Sequence, residues 1–213
     1  MKMQRIILSF LLMLFLWNNS FSQEAKGLND YNSSSIKVAY MGSVIYPGFK
    51  IGVERPSKIT ILEKKSKTVF KEKYWTYNLG FYHHATFHSN AFMLVERQSR
   101  RQFSEGFFLE GAIGLGYSRT FLGGTTYTVN DIGDVAIKRF AGYNYGMLSF
   151  SSGIGYDFYK KNKHPIKAYF KPSLFLLAPS NSFIYARPTV EIGVIYSSKS
   201  FWKSNPSIKN IKK

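Results

Sequence analysis

The chain has 213 residues, no cysteine and four histidines, and its 29 Lys and Arg against 12 Asp and Glu give a formal net charge of +17. No disulfide scaffold or thiolate metal site is possible, and a histidine metal cage has little raw material. At 45% hydrophobic and 17% aromatic residues the chain is too apolar to stay disordered, and its length suits one domain.

Residues 1–22 read as an export address. Lys2 and Arg5 form a basic start, Ile6 to Trp17 is apolar except for Ser9, and Ser20-Phe21-Ser22 places small residues before Gln23. This is the layout of a cleaved secretory signal peptide. As a helix the twelve apolar residues reach about 18 Å, short of a hydrocarbon core of roughly 30 Å. No cysteine follows, so a lipoprotein anchor is excluded. No later stretch has 18 consecutive apolar residues, which excludes a helical membrane protein. A short segment, 23–34, precedes the folded part.

From residue 35 onward the pattern has period two. Ile45, Pro47, Phe49, Ile51 and Val53 alternate with Tyr46, Gly48, Lys50, Gly52 and Glu54. Trp75, Tyr77, Leu79 and Phe81 alternate with Thr76, Asn78, Gly80 and Tyr82. Leu148, Phe150, Ile154 and Tyr156 face away from Met147, Ser149, Gly153, Gly155 and Asp157. Segments 166–176 and 184–196 continue the pattern and place Lys167, Lys171, Arg187 and Glu191 on the polar face. Alternation at 180° per residue marks strands. They run about 10 to 13 residues, the length of a tilted membrane strand rather than the 5 or 6 common in soluble sheets. Glycine, tyrosine and charge share one face, as in the cramped interior of a small barrel. Tyr46, Trp75, Tyr117, Tyr145 and Tyr196 near strand ends fit aromatic girdles.

The expected strands are 35–41, 44–55, 73–84, 90–98, 106–121, 142–159, 165–178 and 183–197. The fold expected is therefore all-β, an antiparallel up-and-down transmembrane β-barrel of eight strands over residues 35–197. Pro47, Pro172 and Pro188 lie inside strands and should each mark a bulge or a strand end, because proline cannot donate to a ladder. Basic connections are expected at 56–73, 97–102 and 160–163, on the end that carries both termini, here assigned to the periplasm. The opposite end carries 84–90, the Ala178-Pro179-Ser180-Asn181 turn and a long segment, 122–141. In that segment Asn130-Asp131-Ile132-Gly133 signals a turn and hence a projecting hairpin. Residues 198–213 read as a basic, loosely ordered tail.

In this architecture the chain resembles the small eight-stranded outer-membrane barrels of the OmpA-transmembrane-domain and OmpX type. The resemblance implies a protein of a Gram-negative outer membrane and carries no functional motif. The expected role is structural or one of surface contact through loop 122–141. The expected surroundings are outer-membrane lipid and lipopolysaccharide, with no nucleic acid, no metal and no cofactor, and the protein is expected to be monomeric.

Two groups of residues could carry chemistry. Lys50, Glu54, Glu110, Asp157, Lys167, Lys171, Arg187 and Glu191 share the inner face. Charges in a narrow lumen must pair to offset desolvation, so a salt-bridged, mostly closed interior is expected. Three of the four histidines cluster in His83-His84-Ala85-Thr86-Phe87-His88-Ser89-Asn90. His84, His88 and Ser89 are candidate catalytic residues, since a His beside a Ser can activate a nucleophile. His88-Ser89-Asn90 resembles the outer-membrane lipid A deacylases, in which His and Ser lie two apart and Asn follows. Here His and Ser are adjacent, and adjacent strand residues point to opposite faces. The alternatives are thus a lipid A-modifying enzyme and a soluble, lipocalin-like carrier. Gly111, Gly114, Gly116, Gly123 and Gly124 match neither a dinucleotide fingerprint nor a phosphate loop.

Overall fold

The computed structural model describes residues 33–43, 46–64, 67–85, 87–103, 106–159, 164–180, 183–197, 204 and 206–212. The segment read as a signal peptide, Val44 and Ile45, Thr86, the Lys160–Lys163 run, Asn181 and Trp202 lie outside the described residues.

The strands are β1 (Ser35–Ser43), β2 (Tyr46–Lys64), β3 (Lys67–His84), β4 (His88–Gln102), β5 (Phe107–Leu122), β6 (Tyr127–Val129), β7 (Val135–Ile137), β8 (Gly142–Asp157), β9 (Ile166–Ser180), β10 (Phe183–Ser197) and β11 (Ser207–Lys212). Neighbours pair in the order β1-β2-β3-β4-β5-β8-β9-β10, all antiparallel. β10 then returns to β1, from Ser35↔Ser197 to Gly42↔Val190. Eight strands therefore close into one up-and-down barrel, as the period-two pattern requires once both end strands find each other. β6 and β7 form the expected hairpin in the 122–141 loop, with Gly133 at φ 89° in its turn.

Two segments read as connections are strand. Residues 58–64 and 67–73 continue β2 and β3 past the barrel wall as a paired hairpin. Arg97, Arg100 and Arg101 belong to β4, which runs on to Gln102. Lys71, Lys73, Arg97 and Arg101 do not interrupt their strands because they take the outer face, while Glu72, Gln98 and Arg100 between them are buried and β3 and β4 pair throughout this stretch.

The tail also differs from expectation. β1 pairs with β2 no further down than Ser35↔Glu54, so β2 beyond Pro56 has an open side. β11 hydrogen-bonds there in parallel, from Ser207↔Lys58 to Lys212↔Glu63. An exposed strand edge recruits any segment within reach, and this one is held by backbone bonds that the tail's basic composition does not reveal.

The prolines sit where the ladder can spare a donor. Pro47 is the second residue of β2. Pro172 lies where the β8–β9 ladder lapses between Ser151↔Ser173 and Ile154↔Phe170. Pro188 lies on the part of β10 that extends past β1 and pairs with β9 alone. A fourth, Pro56, marks a bulge against β3.

Glycines on the inner face make room for rings across the ladder. A Cβ on Gly80 would come within 2.1 Å of the Phe92 ring, one on Gly155 within 2.1 Å of Phe108, and one on Gly193 within 2.6 Å of Tyr169. Each pair faces across a ladder, as Gly80↔Phe92, Phe108↔Gly155 and Gly193↔Tyr169. The aromatic covers the backbone that glycine leaves bare.

Because the ring closes without β11, a chain truncated after Ser197 should still form an SDS-resistant barrel with heat-dependent gel mobility. Its 58–73 hairpin, with one side bared, should become the first site of tryptic cleavage. Loss of the mobility shift in the truncated chain would show instead that β11 is needed for closure.

Candidate functional site

The inner face of the barrel is the most heavily built polar surface of the molecule. Register alone decides which residues reach it. On β2 these are Lys50 and Glu54, on β4 Glu96, Gln98, Arg100 and Gln102, and on β10 Arg187 and Glu191, all buried. Lys50, Glu54, Lys171 and Glu191 have no exposed surface at all.

These charges fall into two linked groups and a peripheral pair. In the first, Lys50 pairs closely with Glu191 and lies 3.8 Å from Glu96. Lys171 lies 3.7 Å from Glu191 and 3.9 Å from Glu96. Asn78 donates to Glu96 at 2.9 Å. In the second, Arg100 bridges two carboxylates, reaching Glu54 at 3.0 Å and Glu110 at 2.9 Å. Lys37 lies 3.9 Å from Glu54, and Gln98 donates to Glu110 at 2.7 Å. The faces of Tyr74 and Phe108 lie 4.9 and 4.8 Å from the Arg100 guanidinium, and the Tyr74 hydroxyl donates to Glu72. Toward the end that carries the termini, Lys167 lies 3.6 Å from Asp157, which also accepts from Gln102 at 2.7 Å.

Of the eight inner charges read from the sequence, seven make ion pairs, and all eight are buried. Arg187 is the exception. It forms no ion pair with any described carboxylate and packs instead against tyrosine rings. Lys37, Glu96 and Arg100 are central to the network and were not among the expected residues. The signal for two of them was present. Phe92, Leu94, Glu96, Gln98, Arg100 and Gln102 alternate without a break, but ending the strand at residue 98 assigned Arg100 to a connection.

Above the ion pairs lies an apolar layer of Met41, Tyr82, Phe92, Leu94, Met147, Phe175 and Leu177, with Tyr46 and Tyr145 packed on it. Tyr46 and Tyr145 therefore turn inward rather than joining an outer girdle. Tyr46 shares the parity of Lys50, and Tyr145 that of Met147. Trp75 and Tyr117 do face outward.

The histidine cluster sits at the opposite end from the termini. Phe87 N–H donates to the His84 carbonyl at 3.3 Å, and His84 lies against His88 with stacked rings 5.7 Å apart, both in contact with Tyr46. Ser89 lies on the other face of β4, as adjacent strand residues must. Its hydroxyl is hydrogen-bonded to His83 Nδ1 at 2.9 Å. The expected set of His84, His88 and Ser89 is thus divided between the two faces. The His83–Ser89 pair is exposed, and no described carboxylate orients its imidazole. Among the described residues no three His, Asp or Glu side chains are gathered as metal ligands.

No family model and no curated protein matches the sequence. Solved structures similar in shape include two bacterial β-barrels. Neisserial surface protein A is 8% identical, with 78% of this chain and 95% of that one covered and a TM-score of 0.45. The N-terminal β-barrel domain of Pseudomonas aeruginosa OprF is 12% identical, with 78% and 96% covered and a TM-score of 0.41. Overlaps of that quality say nothing about a shared activity.

The two carboxylates around Arg100 make a direct test of the network. Arg100→Ala should cost about 3–5 kcal/mol, because it strands buried carboxylates. Arg100→Met combined with Glu110→Gln leaves Glu54 with Lys37 and should recover roughly half of that loss by the same reasoning. Urea unfolding of the detergent-solubilised barrel, followed by tryptophan fluorescence, measures both.

Proposed function

We propose that this protein is an outer-membrane β-barrel whose lumen is closed by its own ion pairs and whose role is structural or one of surface contact. The observation that carries this reading is the inversion of the usual burial pattern. Arg100, Lys37, Lys50 and Lys171 are among the largest fully buried side chains. Leu115 is 70% exposed, and Leu79, Met93, Ile113 and Ile192 are exposed on the outer wall as well. A monomer in water does not present such a continuous apolar exterior, whereas lipid tails solvate it at no cost. The soluble-carrier alternative would need a polar outer wall, and along β3, β5 and β9 the outward side chains Leu79, Ile113, Leu115, Phe170 and Leu174 are apolar.

The dimensions fit the same reading. On β9 the outward residues run apolar from Ile166 to Leu176, within the roughly 9–11 residues that a tilted strand needs to cross a bilayer. On β3 the outward run Trp75, Tyr77, Leu79, Phe81 is bounded by Lys71 and Lys73 at one end and His83 at the other. The lysines suit phosphate-bearing head groups at the end that carries the termini, and that end faces the periplasm in our reading, with the signal peptide as the export route. Lipid and lipopolysaccharide are then the surroundings of the barrel, and a single chain suffices to close it.

Eight strands leave an interior wide enough for side chains and too narrow for a water column. The two ion-pair groups and the apolar layer above them fill it. For surface contact the 122–141 loop is the natural element. Its hairpin exposes Tyr127, Val129, Ile132, Val135 and Ile137, with Ile132 90% exposed. Apolar side chains held clear of the barrel on a two-stranded ribbon suit a protein partner better than they suit water.

Two outcomes are expected. Envelope protein loaded unboiled and boiled in SDS should migrate differently, and it should leave the membrane only with detergent; recovery in the aqueous fraction would overturn the membrane assignment. In planar bilayers the purified protein should show no large, stable conductance step. A steady open channel would refute the closed lumen.

A further inference from the structure

We propose that Arg187 and the tyrosines around it form an anion-binding pocket at the lumen mouth opposite the termini, suited to a compact oxyanion of the phosphate class. Arg187 is 6% exposed, yet its Nε and Nη1 have no hydrogen-bond partner. Lys37 and Lys171 also lack close hydrogen bonds, but each lies within 4 Å of a carboxylate. Among the described residues Arg187 is the one buried basic side chain for which the protein supplies no carboxylate. Burying a guanidinium with no opposite charge is strongly unfavourable, so this arrangement suits a site completed by a negative ligand.

The walls point the same way. The Arg187 guanidinium lies 4.3 Å from the centre of the Tyr82 ring, 4.9 Å from Tyr46 and 5.3 Å from Tyr185. Ring faces steady a cation but leave its N–H groups free to donate. The Tyr82 hydroxyl is likewise buried and without a partner. His88 packs against both Tyr46 and Tyr82 and brings a further donor to the rim. Tyr82 also belongs to the apolar layer, which closes the floor of the pocket. The carboxylate nearest in sequence on β10, Glu191, is four residues on, roughly 13 Å along the strand, and is engaged by Lys50 and Lys171. Toward the mouth exposure rises, with Tyr185 42% exposed, so a solute or a head group can enter from that end. This inference goes beyond the structural role, and it holds whether the barrel sits in lipid or in a detergent micelle.

The test uses the full chain folded in a non-ionic detergent, with inorganic phosphate and octyl phosphate as probes and sodium chloride at matched ionic strength as the control. Phosphate should raise the unfolding temperature of the wild type by mass action. Calorimetric affinity should fall tenfold or more in Arg187→Gln. Tyr82→Phe keeps the ring and loses the idle hydroxyl, and should weaken binding several-fold, so the test does not depend on one variant folding. Binding of both probes identifies a free oxyanion site, and binding of octyl phosphate alone identifies a lipid head-group site. Absence of saturable binding by either probe in the wild type, or unchanged affinity in both variants, overturns the proposal.

Discussion

A sheet that closes on itself has an inside, and every side chain pointing there must find its partners there. That constraint governs the rest of this molecule. Eight strands enclose a space about as wide as the side chains that fill it, so buried charge there is met chiefly by other side chains. Arg100 is tolerable because Glu54 and Glu110 flank it, and Lys50 because Glu191 and Glu96 do. Removing one member of such a group costs more than the group contributes, because the others remain buried and charged. The network thus acts as a lock on register. A slip of one residue in β4 would send Glu96 and Arg100 outward and bring Val95 and Arg97 in.

The same closure explains how polar and apolar layers coexist inside. Glycine at Gly80, Gly155 and Gly193 lets an aromatic from the adjacent strand lie flat across the ladder. Of these rings Phe92 joins the layer between the ion pairs and the mouth, while Phe108 and Tyr169 pack against Arg100 and Lys37 in a second cluster with Ala39 and Ile195. On the mouth side of that layer sit the tyrosines, two histidines and one guanidinium without a carboxylate. The lumen therefore has a part in which acids and bases pair, and a part near the mouth where Arg187 meets rings alone. The Arg187 proposal is the functional consequence of that division.

Outside the ring, edges decide what happens. β2 and β3 outrun β1 and present an open side, and β11 covers it. β10 outruns β1 at the other end, which is where Pro188 is tolerated. In the 122–141 loop β6 and β7 pair only with each other and are exposed on both faces.

Much of this was legible in the residues. Alternation at period two assigned the inner and outer faces of β2, β3, β8, β9 and β10, because parity along a strand is a local property. The eight strands and the Asn130–Gly133 turn followed from the same local rules. Strand ends did not, because the lysines of 58–73 and the arginines of 97–101 look like connections until a neighbouring strand pairs with them. Which charges meet was equally hidden, since Lys50 and Glu191 are 141 residues apart and touch only after β10 closes on β1. The placing of Ser89 beside His83 rather than His88, and of Arg187 among rings rather than carboxylates, was settled by hairpin geometry and by cross-barrel distance. Which face each side chain takes is readable along the chain, because backbone alternation is local. Which partners those faces meet is not, because closure of the ring brings together strands that the chain keeps far apart.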